Sequence, residues 1–277
     1  MEKIKLGDYN TLRVVKEVDF GVYLDGYDEE ILLPTRYVPQ GVHPGDEIEV
    51  FVYLDQEERL IATTERPLVK VGEFGYLEVA WVNRYGAFLH WGLMKDLFCP
   101  FGEQKKMMEV GSRHIVHVHI DEESYRIMAS AKVEHYLSKD IAPYHHNDAV
   151  DLLVWQKTEM GFKVIIDNTY QGLVYNNQIF RPIHTGDRLR GYIDQVRPDG
   201  KIDVMLQPSG RQQTVDFADT LTDYLIANNG RCPYGDKTDP ETIKEVFGVS
   251  KKTFKRAIGD LYRRHIIVIT DDGIKMT

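Results

Sequence analysis

Cysteine is scarce in this 277-residue chain: there are two, Cys99 and Cys232, far apart and without a Cys-x-x-Cys partner. That excludes a disulfide framework or a thiolate zinc centre and suits a reducing compartment. No run of about 18 apolar residues could cross a bilayer as a helix, and Met1-Glu2-Lys3-Ile4-Lys5-Leu6 lacks the apolar core of a signal peptide. A soluble, cytoplasmic protein without membrane contact is expected. No Gly-rich phosphate loop precedes a helical stretch, and the acidic residues are dispersed over strand ends and turns instead of paired. The chain therefore reads as a non-enzyme, with no catalytic residues, no metal and no cofactor. His117 and His119 share a strand face, but a third zinc ligand is not evident. Protonated, that strand could hold phosphate and tighten polyanion binding below about pH 6.5.

What is present is a repeat. The middle copy runs through Leu77-Glu78-Val79-Ala80-Trp81-Val82-Asn83-Arg84-Tyr85-Gly86-Ala87-Phe88-Leu89-His90 to a strand ending at Asp121. The first carries Phe20-Gly21-Val22-Tyr23 and Gly45-Asp46-Glu47-Ile48, the third Met160-Gly161-Phe162-Lys163 and Gly186-Asp187-Arg188-Leu189. Successive copies lie about 65 and 75 residues apart, a spacing that suits small β domains in series. Breakers at Glu65-Arg66-Pro67, from Ser138 to Asp148 around Pro143, and at Gln207-Pro208-Ser209-Gly210-Arg211 separate them. These set domains at 1–65, 66–138 and 147–210, with a fourth segment at 218–277.

The net charge of −9 argues against a polyanionic partner until its distribution is read. Residues 1–65 hold 6 basic and 15 acidic side chains, which accounts for all of it. Residues 66–146 balance, 147–219 stand at −2 and 220–277 at +2. Any polyanion contact should favour the later segments over the first repeat.

Within a repeat, period-two alternation turns Ala87 and Leu89 inward and Phe88 and His90 outward. Gly21, Gly86 and Gly161 mark tight bends or close backbone approach. Tyr85, Phe88, Phe20 and Tyr23 either cover barrel ends or offer platforms on which unpaired bases stack.

With these residues the middle copy resembles the S1 domain, a five-stranded OB-fold RNA-binding repeat. The resemblance implies that two aromatics, a His and an Asp…Arg pair line the RNA-binding face. Tyr85 and Phe88 match the aromatics, and Asp121 and Arg126 the charged pair, while the His position falls near Leu97-Phe98-Cys99-Pro100 and is not kept. In the first copy Phe20, Tyr23, Asp55 and Arg59 match. In the third, Met160 and Lys163 replace both aromatics, Tyr175 stands at the His position, and Asp194 with Lys201 keeps the pair.

The C-terminal segment has a different texture. After a helical stretch around Leu221 to Ala227, Asp239-Pro240 opens a helix that Gly248 can end, and Ser250 caps another. Phe254, Ala257, Ile258 and Leu261 form one stripe of it, and Lys252, Arg256, Gly259 and Arg263 the opposite face. Ile266 to Thr270 and Ile274 to Met276, joined by Asp271-Asp272-Gly273, read as a hairpin. Helices followed by a hairpin resemble a winged helix, whose basic second helix enters a DNA groove or lies along an RNA backbone.

The expected fold is thus mainly β and multidomain: three tandem OB-fold (S1-like) barrels and an α+β winged-helix domain. That layout resembles the bacterial conserved virulence factor B family from end to end. The resemblance implies an RNA-binding, post-transcriptional regulator, with single-stranded RNA as partner and Tyr85, Phe88, Arg126, Lys201, Lys252, Arg256 and Arg263 at the contacts. The alternatives are a winged-helix transcription regulator on DNA and an adaptor on ribosome or RNA-decay proteins.

Overall fold

The computed structural model describes residues 3–179, 182–208, 211–270 and 272–277, and the side chains of these apart from 211–216. Its chain forms two compact units, Met1–Leu137 and Ser138–Thr277.

In the first unit, β1 (Tyr9–Val18), β2 (Gly21–Asp25), β3 (Glu30–Pro34), β4 (Glu47–Leu54) and β5 (Leu60–Thr63) close into a barrel in the order β1-β2-β3-β5-β4. A second barrel repeats the plan with β6 (Phe74–Val82), β7 (Gly86–His90), β8 (Leu97–Pro100), β9 (Arg113–Ile120) and β10 (Ile127–Ser130). In each, the third and fifth strands pair in parallel, at Leu32↔Ile61 and Phe98↔Met128. That pairing closes the barrel and leaves no sheet edge.

Strand β4 explains how the two barrels hold together. Its inward Val50 and Val52 fill the first barrel, while outward Phe51 and Tyr53, equally buried, belong to the core of the second. The Phe51 ring meets Trp91 edge-on at 5.9 Å. Burying such a side chain is worth about 1.5–3 kcal/mol. The seam is further tied by Lys70 Nζ donating to Asp8 at 2.8 Å and the Val71 amide donating to the Gly7 carbonyl at 3.0 Å.

The second unit opens with a third barrel: β11 (Ala149–Lys157), β12 (Gly161–Ile166), β13 (Tyr170–Tyr175), β14 (Arg188–Val196) and β15 (Ile202–Met205), again closed and in the same order. Gly161 shows why the repeat keeps glycine at the start of its second strand. Its φ is +154°, and a Cβ there would lie 2.0 Å from the Val174 carbonyl oxygen; at Gly86 it would lie 2.4 Å from that of Cys99.

The remainder is α1 (Arg211–Ala227), β16 (Arg231–Cys232), α2 (Pro240–Phe247), α3 (Lys251–Arg263), β17 (Ile267–Thr270) and β18 (Gly273–Met276). Asp239 caps α2 by accepting from the Glu241 and Thr242 amides, Gly248 ends it in the left-handed conformation, and Ser250 caps α3 through the Thr253 amide. Phe254, Ala257, Ile258 and Leu261 are buried against α1 and the strands. Two features depart from the sequence reading. Helix α1 starts ten residues before Leu221, and β16 adds a third strand beside the hairpin, giving the sheet order β16-β18-β17. Of the anticipated turns, Ser209-Gly210 and Asp271 lie outside the described residues. No described helix is long and apolar enough to cross a membrane.

Candidate nucleic-acid interface

A bulge creates the principal aromatic surface of the second barrel. Leu77 and Val79 of β6 face inward, and strict alternation would send Trp81 inward too. The register slips between Val79 and Trp81, so the indole turns outward and remains 44% exposed. It pairs across the strands with Phe88, the rings stacked at 3.6 Å and 3° apart. Trp81 Nε1 donates to Asp96 at 2.9 Å, which fixes the ring in its plane.

Phe88 itself is half-buried, with Trp81 stacked on it and Phe98 beside it at 4.9 Å, so its ring backs that of Trp81. The open face belongs to Trp81, which strict alternation from Leu77 and Val79 would send inward. Tyr85 is 59% exposed, and Arg84 lies over its ring at 4.8 Å while donating to its hydroxyl at 2.6 Å. Asn83 holds the intervening turn by accepting from the Tyr85 amide at 2.8 Å.

The charged pair also differs. Asp121 accepts from the Ser124 amide and hydroxyl, and these bonds hold its carboxyl below the usual range. Arg126 turns away from it to Glu58 of the first barrel, Nε to Oε2 at 3.2 Å. Glu58 also meets Lys95 at 3.4 Å, and Lys95 Nζ donates to the Asp55 carbonyl at 2.7 Å. Between the barrels Glu58, Lys95 and Arg126 line a half-open cavity of about 820 Å³, whose walls also include Tyr53, Trp81, Tyr85, Phe88 and Trp91.

The first barrel keeps its own pair. Arg59 donates to Asp55 through Nε and Nη2 at 3.0 and 2.8 Å. Partial burial works against ionisation of Asp55, and bonds from the Arg59 amide and guanidinium outweigh it, leaving the carboxyl below its usual range. Phe20 is exposed and meets Tyr23 edge-on at 6.3 Å, with Lys16 over the Tyr23 ring at 4.7 Å.

Among its described residues the third barrel offers no comparable platform. Lys201 pairs with Asp199 at 2.8 Å, not with Asp194, whose side chain lies 3.9 Å from His146. Its charged pair is Arg197 with buried Asp203, Nε to Oδ2 at 2.8 Å, and Arg197 Nη2 donates to the Tyr175 hydroxyl at 2.6 Å. Spacing alone made Lys201 as eligible as Arg197. Tyr175 is therefore engaged in a side-chain network, and Lys163 sits 5.1 Å from the Trp155 ring.

On α3, Lys252 and Arg256 are exposed, and Arg263, also exposed, lies 3.6 Å from Asp260. The histidine strand does not fit phosphate capture near pH 6.5. His117 is buried between Phe74 and Tyr136, with ring separations of 4.8 and 4.0 Å, and burial together with His119 pushes its pKa down to about 4. Burial lowers His114 and His119 as well.

Residues 6–65 match the family model for the S1 domain, and residues 219–276 that for a CvfB-like winged helix domain. The uncharacterized protein YitL of Bacillus subtilis is 28% identical over 270 residues, covering 95% of this chain and 90% of its own. Conserved virulence factor B of Staphylococcus aureus is 25% identical over 240 residues, covering 84% of this chain and 80% of its own. Among solved structures, a multidomain protein with nucleic acid binding domains from Streptococcus pneumoniae aligns over 98% of both chains at 21% identity, with a TM-score of 0.43. S1 and winged-helix domains are nucleic-acid-binding types, and this chain carries one of each, at residues 6–65 and 219–276.

Proposed function

We propose that this chain, which resembles the conserved virulence factor B family along most of its length and carries an S1 domain and a CvfB-like winged helix, binds single-stranded RNA. The observation that carries the reading is the open face of Trp81, backed by Phe88 and set beside Tyr85, Arg84 and Arg126. An unpaired base stacks on such a surface whatever its identity, at about 1–3 kcal/mol per base, while the guanidinium groups meet phosphates. Binding of this kind tolerates many sequences. It suits a non-enzymatic cytoplasmic regulator that acts on transcripts after synthesis, in company with ribosomal or RNA-decay proteins.

The test is fluorescence anisotropy of labelled single-stranded RNA, single-stranded DNA and duplex DNA over a salt series. Salt-sensitive binding of single-stranded RNA, weakened across sequences by Trp81→Ala, is the expected result. Unchanged affinity in that variant removes the platform from the interface. A second reading rests on the exposed Lys252 and Arg256 of α3, which could enter a duplex groove. Preference for one duplex sequence over any single strand would favour it.

A further inference from the structure

The turn joining β4 to β5 is built to aim one carboxylate. Asp55 accepts from the Glu57 amide at 2.8 Å and the Arg59 amide at 3.0 Å, and the Arg59 guanidinium clamps it from the side. Within this braced turn Glu58 sits at φ +63°, a left-handed conformation unfavourable for a side chain larger than glycine. The strain points Glu58 across the seam, where its two oxygens divide between the cations of the second barrel: Oε1 faces Lys95 and Oε2 faces Arg126. A carboxylate holding an arginine and a lysine at the mouth of an aromatic cavity has the charge and the acceptor geometry of a nucleic-acid phosphate.

We propose that the seam between the first and second barrels is a slot for one nucleotide of a single strand, with Glu58 occupying the place of its phosphate while the slot is empty. The inference rests on the single-strand reading above. The base lies on the open face of Trp81, and the adjoining phosphate displaces Glu58 from Arg126 and Lys95. The cavity of about 820 Å³ is of the size that receives small ligands. The displaced contacts are cheap to break, because Arg126 and Glu58 are 55% and 36% exposed and such ion pairs are weak. The first barrel, acidic over its whole length, thus contributes to binding a polyanion by presetting two cations and yielding them.

The experiment measures the affinity of the full chain for a labelled single-stranded oligoribonucleotide in four variants. Glu58→Gln keeps the shape of the side chain and frees both cations, and tightens binding by about three- to tenfold. Glu49→Gln, exposed on the same barrel and identical in charge change, controls for the general relief of repulsion and stays close to the parent chain. Adding Arg126→Gln to Glu58→Gln removes most of the gain. Equal affinities for the Glu58 and Glu49 variants, beside a Trp81→Ala chain that has lost binding, overturn the slot and leave the stacking reading standing. Binding indifferent to Trp81→Ala overturns the reading beneath it.

Discussion

At the scale of single residues, Trp81 and Phe88 divide one task unequally. Trp81→Ala removes the surface a base would touch and is expected to weaken RNA binding about tenfold or more, while Trp81→Phe restores part of it. Phe88→Ala leaves Trp81 in place without its stacked partner, so loss of binding is accompanied by lower stability, read as a reduced urea midpoint. His117, buried between Phe74 and Tyr136, bears on stability. Folded, it stays neutral down to about pH 4; unfolded, it takes its proton near pH 6.5. The unfolded chain therefore binds more protons between these values, and stability falls as pH drops from about 6.5 toward 4, by on the order of 2–3 kcal/mol. His117→Gln, which cannot titrate, should flatten the urea midpoint between pH 6.5 and 4.5 relative to the parent chain. An equal slope in both would place the acid sensitivity elsewhere.

At the scale of elements, two glycines separate conformational need from mere tolerance. In β12, Gly161 has the positive φ and the 2.0 Å approach to Val174 that a side chain cannot share, so Gly161→Ala should cost about 2 kcal/mol or more. In α3, a Cβ at Gly259 meets nothing nearer than Arg263 at 3.8 Å, so Gly259→Ala should stabilise by about 0.5–1 kcal/mol. Thermal melts of the two variants are expected to move in opposite directions. These elements also show what a sequence can disclose. The caps of α2 and α3 are local, and Asp239, Gly248 and Ser250 announce them without help from the rest of the chain. Trp81 was hidden because a bulge shifts the strand phase by one residue, and nothing in Val79-Ala80-Trp81 signals where the slip occurs. Alternation with Val50 and Val52 puts Phe51 and Tyr53 on the outward face of β4, yet they are core, since the neighbouring barrel covers them. The pairing of Arg197 with Asp203, and of Arg126 with Glu58, depends on three-dimensional reach that residue spacing leaves open.

At the scale of the molecule, charge decides how a chain of net −9 meets a polyanion. Residues 1–65 carry the whole excess, and there three of the six cations are paired with carboxylates: Arg59 with Asp55, Arg13 with Asp25, Lys16 with Glu30. The later segments stand at 0, −2 and +2 and sum to zero, so attraction to phosphate must come from local groupings, Arg84 and Arg126 in the first unit and Lys252 with Arg256 in the second. Each phosphate neutralised on a single strand contributes about −0.7 to the slope of log affinity against log salt. Arg126→Gln should therefore flatten that slope by about 0.7, and Lys252→Ala with Arg256→Ala by about 1.4, the two effects adding because they reside in different units. A slope unmoved by the α3 substitutions, with that of Arg126→Gln reduced, would confine RNA to the first unit and leave the winged helix free for another partner. The measurement needs no knowledge of the natural transcript, because a stacking platform flanked by arginines responds to salt in the same way on any unpaired sequence.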